Sequence, residues 1–184
     1  MAERGAVFLD RDGTVIEDHH HLSDPAGVRL LPGAAEAVAE LNRAGLPVLL
    51  VTNQSGIGRG IFTEADFAAV QARVEELLDR AGAHLDGVYL CPHSPEQQPP
   101  CDCRKPATAL YRRAGAEHGI DFAASAYIGD RLRDVLPAAE LGGTPILLGA
   151  DPRDDPRAEG PPGMLRVGSL SEAVQALLGH RAAD

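Results

Sequence analysis

Short apolar runs alternate along the chain with stretches in which apolar residues recur every three or four positions. The apolar runs predict buried strands, and the periodic stretches between them predict helices. The predicted strands lie at residues 6–9, 47–52, 87–91, 125–130, 144–148 and 164–167. Strands that alternate with helices are typical of a parallel sheet with right-handed crossovers and helices on both faces. The pattern therefore predicts a three-layer α/β fold.

Capping and breaking residues mark the ends of the predicted helices. Gly45 ends the first helix, Thr63 caps the second, and Pro106 suits the first turn of the third. Either Ser169 or Ser171 begins the last helix. The predicted helices span residues 34–44, 64 to about 78, 106–118, 132–141 and the segment after 169.

Four segments have no regular period and are predicted to be loops. They are residues 17–27, 56–60, 92–105 and 149–163, of which the glycine-rich 56–60 is expected to be flexible. No internal repeat and no linker divides the chain, so we expect one domain over residues 1–184.

Charge and hydropathy exclude several classes of partner. The net charge of −10 argues against nucleic-acid binding, which needs a basic face. No apolar run reaches the ~20 residues that a membrane-spanning helix needs. Residues 1–5 lead into the first strand without a signal-peptide segment, so we expect a cytoplasmic protein. We also expect the protein to be a monomer.

Polar residues stand where three of the predicted strands end. Asp10 and Asp12 follow the first strand, Thr52 ends the second, and Asp130 ends the fourth. Ligands of parallel sheets bind at these carboxyl ends, so we expect the groups to share one site. Together with Lys105, carboxylates that bind a hard cation such as Mg²⁺ indicate phosphoryl transfer. The alternative for the first pair is a solvated Asp-rich turn.

All three cysteines lie in one short segment. Cys91, Cys101 and Cys103, with His93, give three thiolates and one imidazole, a closed tetrahedral set typical of structural Zn²⁺. Such a site would fix the polar loop that carries Arg104 and Lys105. Buried reduced cysteines are the alternative, and an odd number of cysteines is a poor disulfide framework.

Four motifs resemble, in order, those of the haloacid dehalogenase-like phosphatases. They are Asp10-Arg11-Asp12-Gly13-Thr14, then Thr52-Asn53, then Lys105, then Gly129-Asp130 with Asp134. The resemblance implies a Rossmann-like sheet in which Asp10 forms an aspartyl-phosphate. Asp12 would protonate the leaving oxygen and then activate water, while Thr52 and Lys105 would hold the phosphoryl group. Mg²⁺ would be bound by Asp10, the Asp12 carbonyl and Asp130, with Asp134 behind them.

The cysteine loop and residues 52–60 resemble the branch of this family that contains heptose bisphosphate phosphatases and histidinol phosphatases. That branch has no large cap domain, and the gap between Thr14 and Leu30 is too short for one. The implied reaction is removal of the 7-phosphate of D-glycero-D-manno-heptose 1,7-bisphosphate. Histidinol phosphate, or small sugar phosphates in general, are alternative substrates. An alternative from another functional class is a binding module without catalytic activity, whose loop is held by zinc.

Substrate contacts are expected from the loops around the strand ends. Where the branch usually has Gly-Tyr after Asp18, this sequence has His20-His21, which could also be a solvated loop or an adventitious metal site. The expected contacts are Asp18, His19, His20, His21, Asn53, Gln54, Ser55, Arg59, Arg104 and Arg131.

Overall fold

The six apolar runs form six parallel strands of one sheet. The computed structural model describes residues 4–149 and 159–181, so most of the predicted 149–163 loop lies outside the described residues. The strands are β1 (Val7–Leu9), β2 (Val48–Asn53), β3 (Gly87–Cys91), β4 (Ala126–Gly129), β5 (Thr144–Leu148) and β6 (Leu165–Val167). Their order is β3-β2-β1-β4-β5-β6, and every pairing is parallel. The predicted α/β fold is confirmed.

This strand order creates a switch point in the middle of the sheet. The chain winds outward from β1 to β3 on one side, then crosses over and winds outward again from β4 to β6. The connections that leave β1 and β4 therefore diverge, and a crevice opens above their carboxyl ends.

Helices follow each of the strands β1, β2, β3, β4 and β6. They are α1 (Ala34–Arg43), α2 (Ser55–Gly58), α3 (Glu64–Asp79), α4 (Ala109–His118), α5 (Leu132–Val135), α6 (Pro137–Leu141) and α7 (Leu170–Arg181). Thr63 caps α3 in a reciprocal capping box with Asp66, as such a sequence favours. At α7 the hydroxyl of Ser169 accepts a hydrogen bond from the amide of Glu172, so Ser169 is the residue that begins the helix.

Alternate residues of β1 point into two separate apolar clusters. Val7 and Leu9 pack with residues of α1, α3 and α7 on one face. Phe8 packs on the other face with residues of α4 and α6. Its ring lies 5.2 Å from the ring of Tyr127 in a stacked arrangement and 5.2 Å from that of Tyr111 edge-on. Because both faces of the sheet are covered, the strands are uninterrupted apolar runs.

Two predicted helices have different bounds in the structure. Pro106 does not begin α4; it lies in a turn closed by the Ala107 amide donating to the Arg104 carbonyl at 2.9 Å, and the helix starts at Ala109. The predicted helix 132–141 is two short helices, α5 and α6. The reason is Pro137, which has no N–H to donate to the preceding turn.

The 56–60 segment was wrongly predicted to be a loop, because its first residues form the short helix α2. The Arg59 amide donates to the Ser55 carbonyl at 3.1 Å, and the Gly58 amide donates to the Pro92 carbonyl at 2.8 Å. A Cβ at Gly58 would lie 2.7 Å from the Ser94 nitrogen and 2.8 Å from the Pro92 oxygen. Glycine is therefore required by close packing of α2 on residues 92–94.

The connection from β1 to α1 carries no inserted domain. Residues 10–33, all within the described range, contain isolated bridges and one 3₁₀ turn at Pro25–Gly27. None of the helices described combines the length and the apolar character needed to cross a membrane.

The packing of α2 predicts that Gly58→Ala lowers the free energy of unfolding by about 1–3 kcal/mol, because the added methyl group overlaps backbone atoms. Gly179→Ala is the matched control: Gly179 lies in α7 and a Cβ there meets nothing within 4 Å. That change is expected to raise stability by up to ~1 kcal/mol. Urea denaturation of both variants measures their free energies of unfolding. A value for Gly58→Ala equal to that of the unsubstituted protein would contradict the packing argument.

Candidate active site

A cavity of about 310 Å³ opens above the carboxyl ends of β1, β2 and β4. Most of the predicted site residues line it, and they come from loops far apart in the sequence. The lining residues are Asp10, Asp12, Asp18, His20, His21, Asn53, Gln54, Ser55, Arg59, Arg104, Asp130, Arg131 and Arg133. Arg133 had not been singled out from the sequence. Three carboxylates of the strand ends thus share one cavity with four arginines.

Lys105 lies buried beside the cavity and joins two acidic residues. Its Nζ is 2.6 Å from Asp10 Oδ1 and 2.8 Å from Asp134 Oδ1, and it donates to the Val51 carbonyl at 2.6 Å. Burial by itself lowers the pKa of Lys105, but the two carboxylates more than offset this and hold its pKa above the usual value. Lys105 is therefore a fixed cation next to Asp10.

The side-chain amide of Asn53 positions Lys105. Its Oδ1 accepts a hydrogen bond from the Lys105 amide at 3.0 Å, and its Nδ2 donates to the Lys105 carbonyl at 3.2 Å. Both ends of the amide are thus engaged by the backbone of the residue that reaches Asp10. Asn53 also lines the cavity, so its predicted contact with substrate stays a prediction.

Three donors orient the carboxylate of Asp12. Arg11 donates to it from Nε at 3.2 Å and from Nη2 at 3.1 Å. Gln54 donates from Nε2 to Asp12 at 2.7 Å and to the hydroxyl of Thr52 at 2.9 Å. Arg11 is fully buried, with its guanidinium 5.1 Å from the ring centre of Phe67. The sequence showed only an arginine between two aspartates, and nothing in that pattern indicates its burial.

A second group of carboxylates lies where β1 and β4 end. Oxygen atoms of Asp10, Asp130 and Asp134 lie within 4.8 Å of one another. Gly13, at φ +83°, leaves room for this arrangement, because a Cβ there would lie 2.3 Å from Asp130 Oδ2. Burial and then the charge of Asp10 raise the pKa of Asp134, which Lys105 opposes. Like charges this close are stable when a cation lies among them.

The histidine loop reaches the cavity through a strained backbone. His20 and His21 adopt φ of 46° and 63°, the left-handed region that residues other than glycine rarely occupy. The Asp18 carboxylate accepts a hydrogen bond from the His20 amide at 3.1 Å and fixes the turn. His19 is not among the lining residues, and its ring lies 3.1 Å from Glu17. Its predicted contact with substrate stays a prediction.

The three cysteines and His93 converge as the sequence predicts. One ligand atom of each lies within 4.8 Å of all the others. The Cys91 and Cys101 sulfurs are 3.8 Å apart, and tetrahedral Zn²⁺ with bonds of ~2.3 Å sets sulfurs roughly 3.8 Å apart. The Cys103 sulfur is closer, at 3.1 Å from both the Cys91 sulfur and His93 Nδ1. Burial raises the pKa of the Cys91 and Cys103 thiols.

The cysteine cluster is linked to the cavity by arginines. Arg104 follows Cys103 directly, lines the cavity and donates from Nη1 to the His93 carbonyl at 3.2 Å. Arg59, at the end of α2, pairs with Glu96 of the cysteine loop at 2.7 Å. A metal at the cluster would therefore also hold the wall of the cavity that these side chains form.

Sequence comparison identifies the family. The model of the haloacid dehalogenase-like hydrolases matches residues 24–142. The chain is 39% identical over 181 residues to a D-glycero-beta-D-manno-heptose-1,7-bisphosphate 7-phosphatase from Photorhabdus laumondii, covering 95% of each chain. It is 37% identical over 178 residues to the protein of the same name from Escherichia coli K12, covering 94% of this chain and 93% of that one.

A solved structure gives the same result. A D,D-heptose 1,7-bisphosphate phosphatase from B. bronchiseptica, solved with magnesium and phosphate, superimposes with a TM-score of 0.87 at 33% identity. The match covers 96% of this chain and 99% of that one. The sheet order, the strand-end carboxylates and these relatives agree. The chain belongs to the haloacid dehalogenase-like hydrolases, in the branch that contains the heptose bisphosphate phosphatases.

Proposed function

We propose that this protein is a Mg²⁺-dependent phosphatase that removes the 7-phosphate of D-glycero-β-D-manno-heptose 1,7-bisphosphate. The observation that carries the proposal is a set of groups suited to a phosphate at one cavity: Asp10 and Asp12 both line it, Lys105 contacts Asp10, and four arginines complete the lining. The choice of sugar and of the β anomer is supported by the relatives that cover nearly the whole chain, which are named for this reaction.

In the first step, a carboxylate oxygen of Asp10 attacks the phosphorus atom. The new bond gives an aspartyl-phosphate, and the bond from phosphorus to the sugar oxygen breaks. Asp12 donates a proton to that leaving oxygen and so becomes a carboxylate. The hydrogen bonds from Arg11 and Gln54 hold Asp12 where this transfer is possible.

In the second step, water attacks the phosphorus atom of the aspartyl-phosphate. Asp12 now accepts a proton from that water, inorganic phosphate leaves, and the Asp10 carboxylate is restored. Lys105 stabilises the charge on the phosphoryl oxygens from its fixed position beside Asp10. The hydroxyl of Thr52 accepts a hydrogen bond from Gln54, so its own proton is free to donate to the phosphoryl group.

The residues present fit a magnesium ion. Carboxylate oxygens are the ligands that Mg²⁺ prefers, and those of Asp10, Asp130 and Asp134 already lie together beneath Gly13. Asp10, Asp130 and the Asp12 carbonyl would hold the ion, and Asp134 would support them. When bound, Mg²⁺ neutralises charge that develops on the phosphoryl oxygens. The Bordetella relative was solved with magnesium and phosphate, which supports this assignment.

The cysteine cluster fits structural zinc. Three thiolates and one imidazole fill all four positions of a tetrahedral ion and leave none for substrate. Its role would be to shape a loop that is too polar to pack and to hold Arg104 through the His93 carbonyl.

The first experiment is steady-state kinetics on a panel of phosphate esters. We expect kcat/KM for the β-heptose 1,7-bisphosphate to exceed that for the α anomer, histidinol phosphate and common sugar monophosphates by about 100-fold, equivalent to ~2.7 kcal/mol of transition-state discrimination. Comparable values across the panel would contradict the substrate assignment and indicate a general sugar-phosphate phosphatase. A higher kcat/KM for histidinol phosphate would identify that compound as the substrate.

The second experiment removes one zinc ligand. His93→Ala is expected to leave the protein with little bound zinc, measured by elemental analysis. It is expected to lower kcat/KM by about 10-fold or more, because the loop that carries Arg104 and the carbonyl of residue 93 would no longer be fixed by the metal. His84→Ala is the matched control, since His84 is exposed and lies outside the cluster. Full activity in His93→Ala, or no zinc in protein purified without chelators, would contradict this role.

A further inference from the structure

Arg133 is a cation of the cavity wall to which the proposed reaction gives no role. It lies in α5 and lines the cavity together with the guanidinium groups of Arg59, Arg104 and Arg131. The chain as a whole carries a net charge of −10, whereas in the cavity the four arginines balance the four aspartates of the lining, Asp10, Asp12, Asp18 and Asp130. Lys105, with the cation that the carboxylates would hold, would serve the phosphate at Asp10. The four arginines therefore exceed what one phosphate requires.

Two arginines near Arg133 use their guanidinium groups to bind other parts of the protein, whereas Arg133 has a weaker contact. Arg59 is paired with Glu96 at 2.7 Å, and Arg104 donates to the His93 carbonyl at 3.2 Å. Arg133 Nε is buried, makes no hydrogen bond within the described residues, and lies 3.9 Å from Asp134 Oδ1. The side chain is 35% exposed. Because Nε is buried, a bound anion would be reached from the exposed part of the Arg133 side chain, where it would accept a charge-assisted hydrogen bond.

The backbone of α5 places Arg133 securely. The carboxylate of Asp134 accepts a hydrogen bond from the Arg131 amide at 3.0 Å, and its other oxygen pairs with Lys105 at 2.8 Å. The helix that carries Arg133 is thus tied to the residue beside the nucleophile. A guanidinium on such a base presents a planar fork at a fixed place, and that fork matches the oxygens of a phosphate.

We propose that Arg133 determines specificity by binding the second anionic group of the substrate, the one that is not hydrolysed. This inference rests on the proposed function and names the class of substrate as bisphosphorylated. It assigns Arg133 no part in the reaction at Asp10. The remote phosphate would approach the arginines of the cavity wall while the 7-phosphate lies against Asp10, the residue that Lys105 contacts.

The test compares one substrate that has a remote phosphate with one that lacks it. Arg133→Gln is expected to lower kcat/KM for the heptose 1,7-bisphosphate by about 10- to 100-fold, the range of a charge-assisted hydrogen bond. For p-nitrophenyl phosphate, which has no second anionic group, the change is expected to stay below about 2-fold. Arg133→Lys keeps the charge without the fork and is expected to fall between the wild type and Arg133→Gln.

Arg112→Gln is the matched control, because Arg112 pairs with Glu140 on the surface and does not line the cavity. Thermal unfolding of each variant shows whether it is folded. If Arg133→Gln does not fold, the two substrates are compared with Arg133→Lys instead. Equal losses on the two substrates would overturn the proposal, since Arg133 would then act through Asp134 and Lys105. No loss on either substrate would overturn it as well.

A binding measurement separates this proposal from the proposed function. Calorimetry on the Asp10→Asn background measures the affinity for the bisphosphate without turnover. Adding Arg133→Gln is expected to weaken that affinity about 10-fold, whether or not the wild type hydrolyses this particular sugar. Unchanged affinity would overturn the role of Arg133 even if the heptose bisphosphate proves to be the substrate.

Discussion

The buried ammonium group of Lys105 is the interaction on which the rest of the site depends. It contacts Asp10 from β1, Asp134 from α5 and the Val51 carbonyl of β2, and so joins the central strands at their carboxyl ends. Asn53 holds the backbone of Lys105 from the same edge. Carboxylates are costly to bury together, and a fixed cation among them lowers that cost. The three N–H groups of the ammonium are engaged in these contacts, so Lys105 would act on a phosphoryl group at Asp10 through its nearby positive charge.

Carboxylates and arginines share the cavity around this contact. Asp10, Asp130 and Asp134 lie together where a divalent cation fits, and four arginines, here called the rim, line the cavity with them. A bound cation and these arginines would together attract an anionic substrate, although the protein as a whole is strongly acidic. The cysteine loop contributes Arg104 to that rim, and the close packing at Gly58 keeps α2 against the loop. Catalysis and substrate choice thus come from different elements of one fold.

The sequence predicted the fold well, and it predicted that Asp10, Asp12 and Asp130 would share one location, because both follow from local patterns. Apolar runs located the strands, and residues such as Asp10 and Asp130 stand directly at their ends. Such local patterns do not predict contacts that depend on tertiary packing. Nothing local distinguishes buried Arg11 from a solvated arginine, and Arg133 resembles any helix charge. The helix α2 was missed because its glycines, required by close packing on residues 92–94, resemble those of a flexible loop.

The central claim is that Asp10 attacks phosphorus before water does, and the stereochemistry at phosphorus tests it most directly. A substrate with a chiral phosphorus atom, made with oxygen isotopes, is hydrolysed and the configuration of the released phosphate is measured. Two successive in-line displacements, first by Asp10 and then by water, predict net retention of configuration. Net inversion would mean that water attacks the substrate directly and would contradict the account.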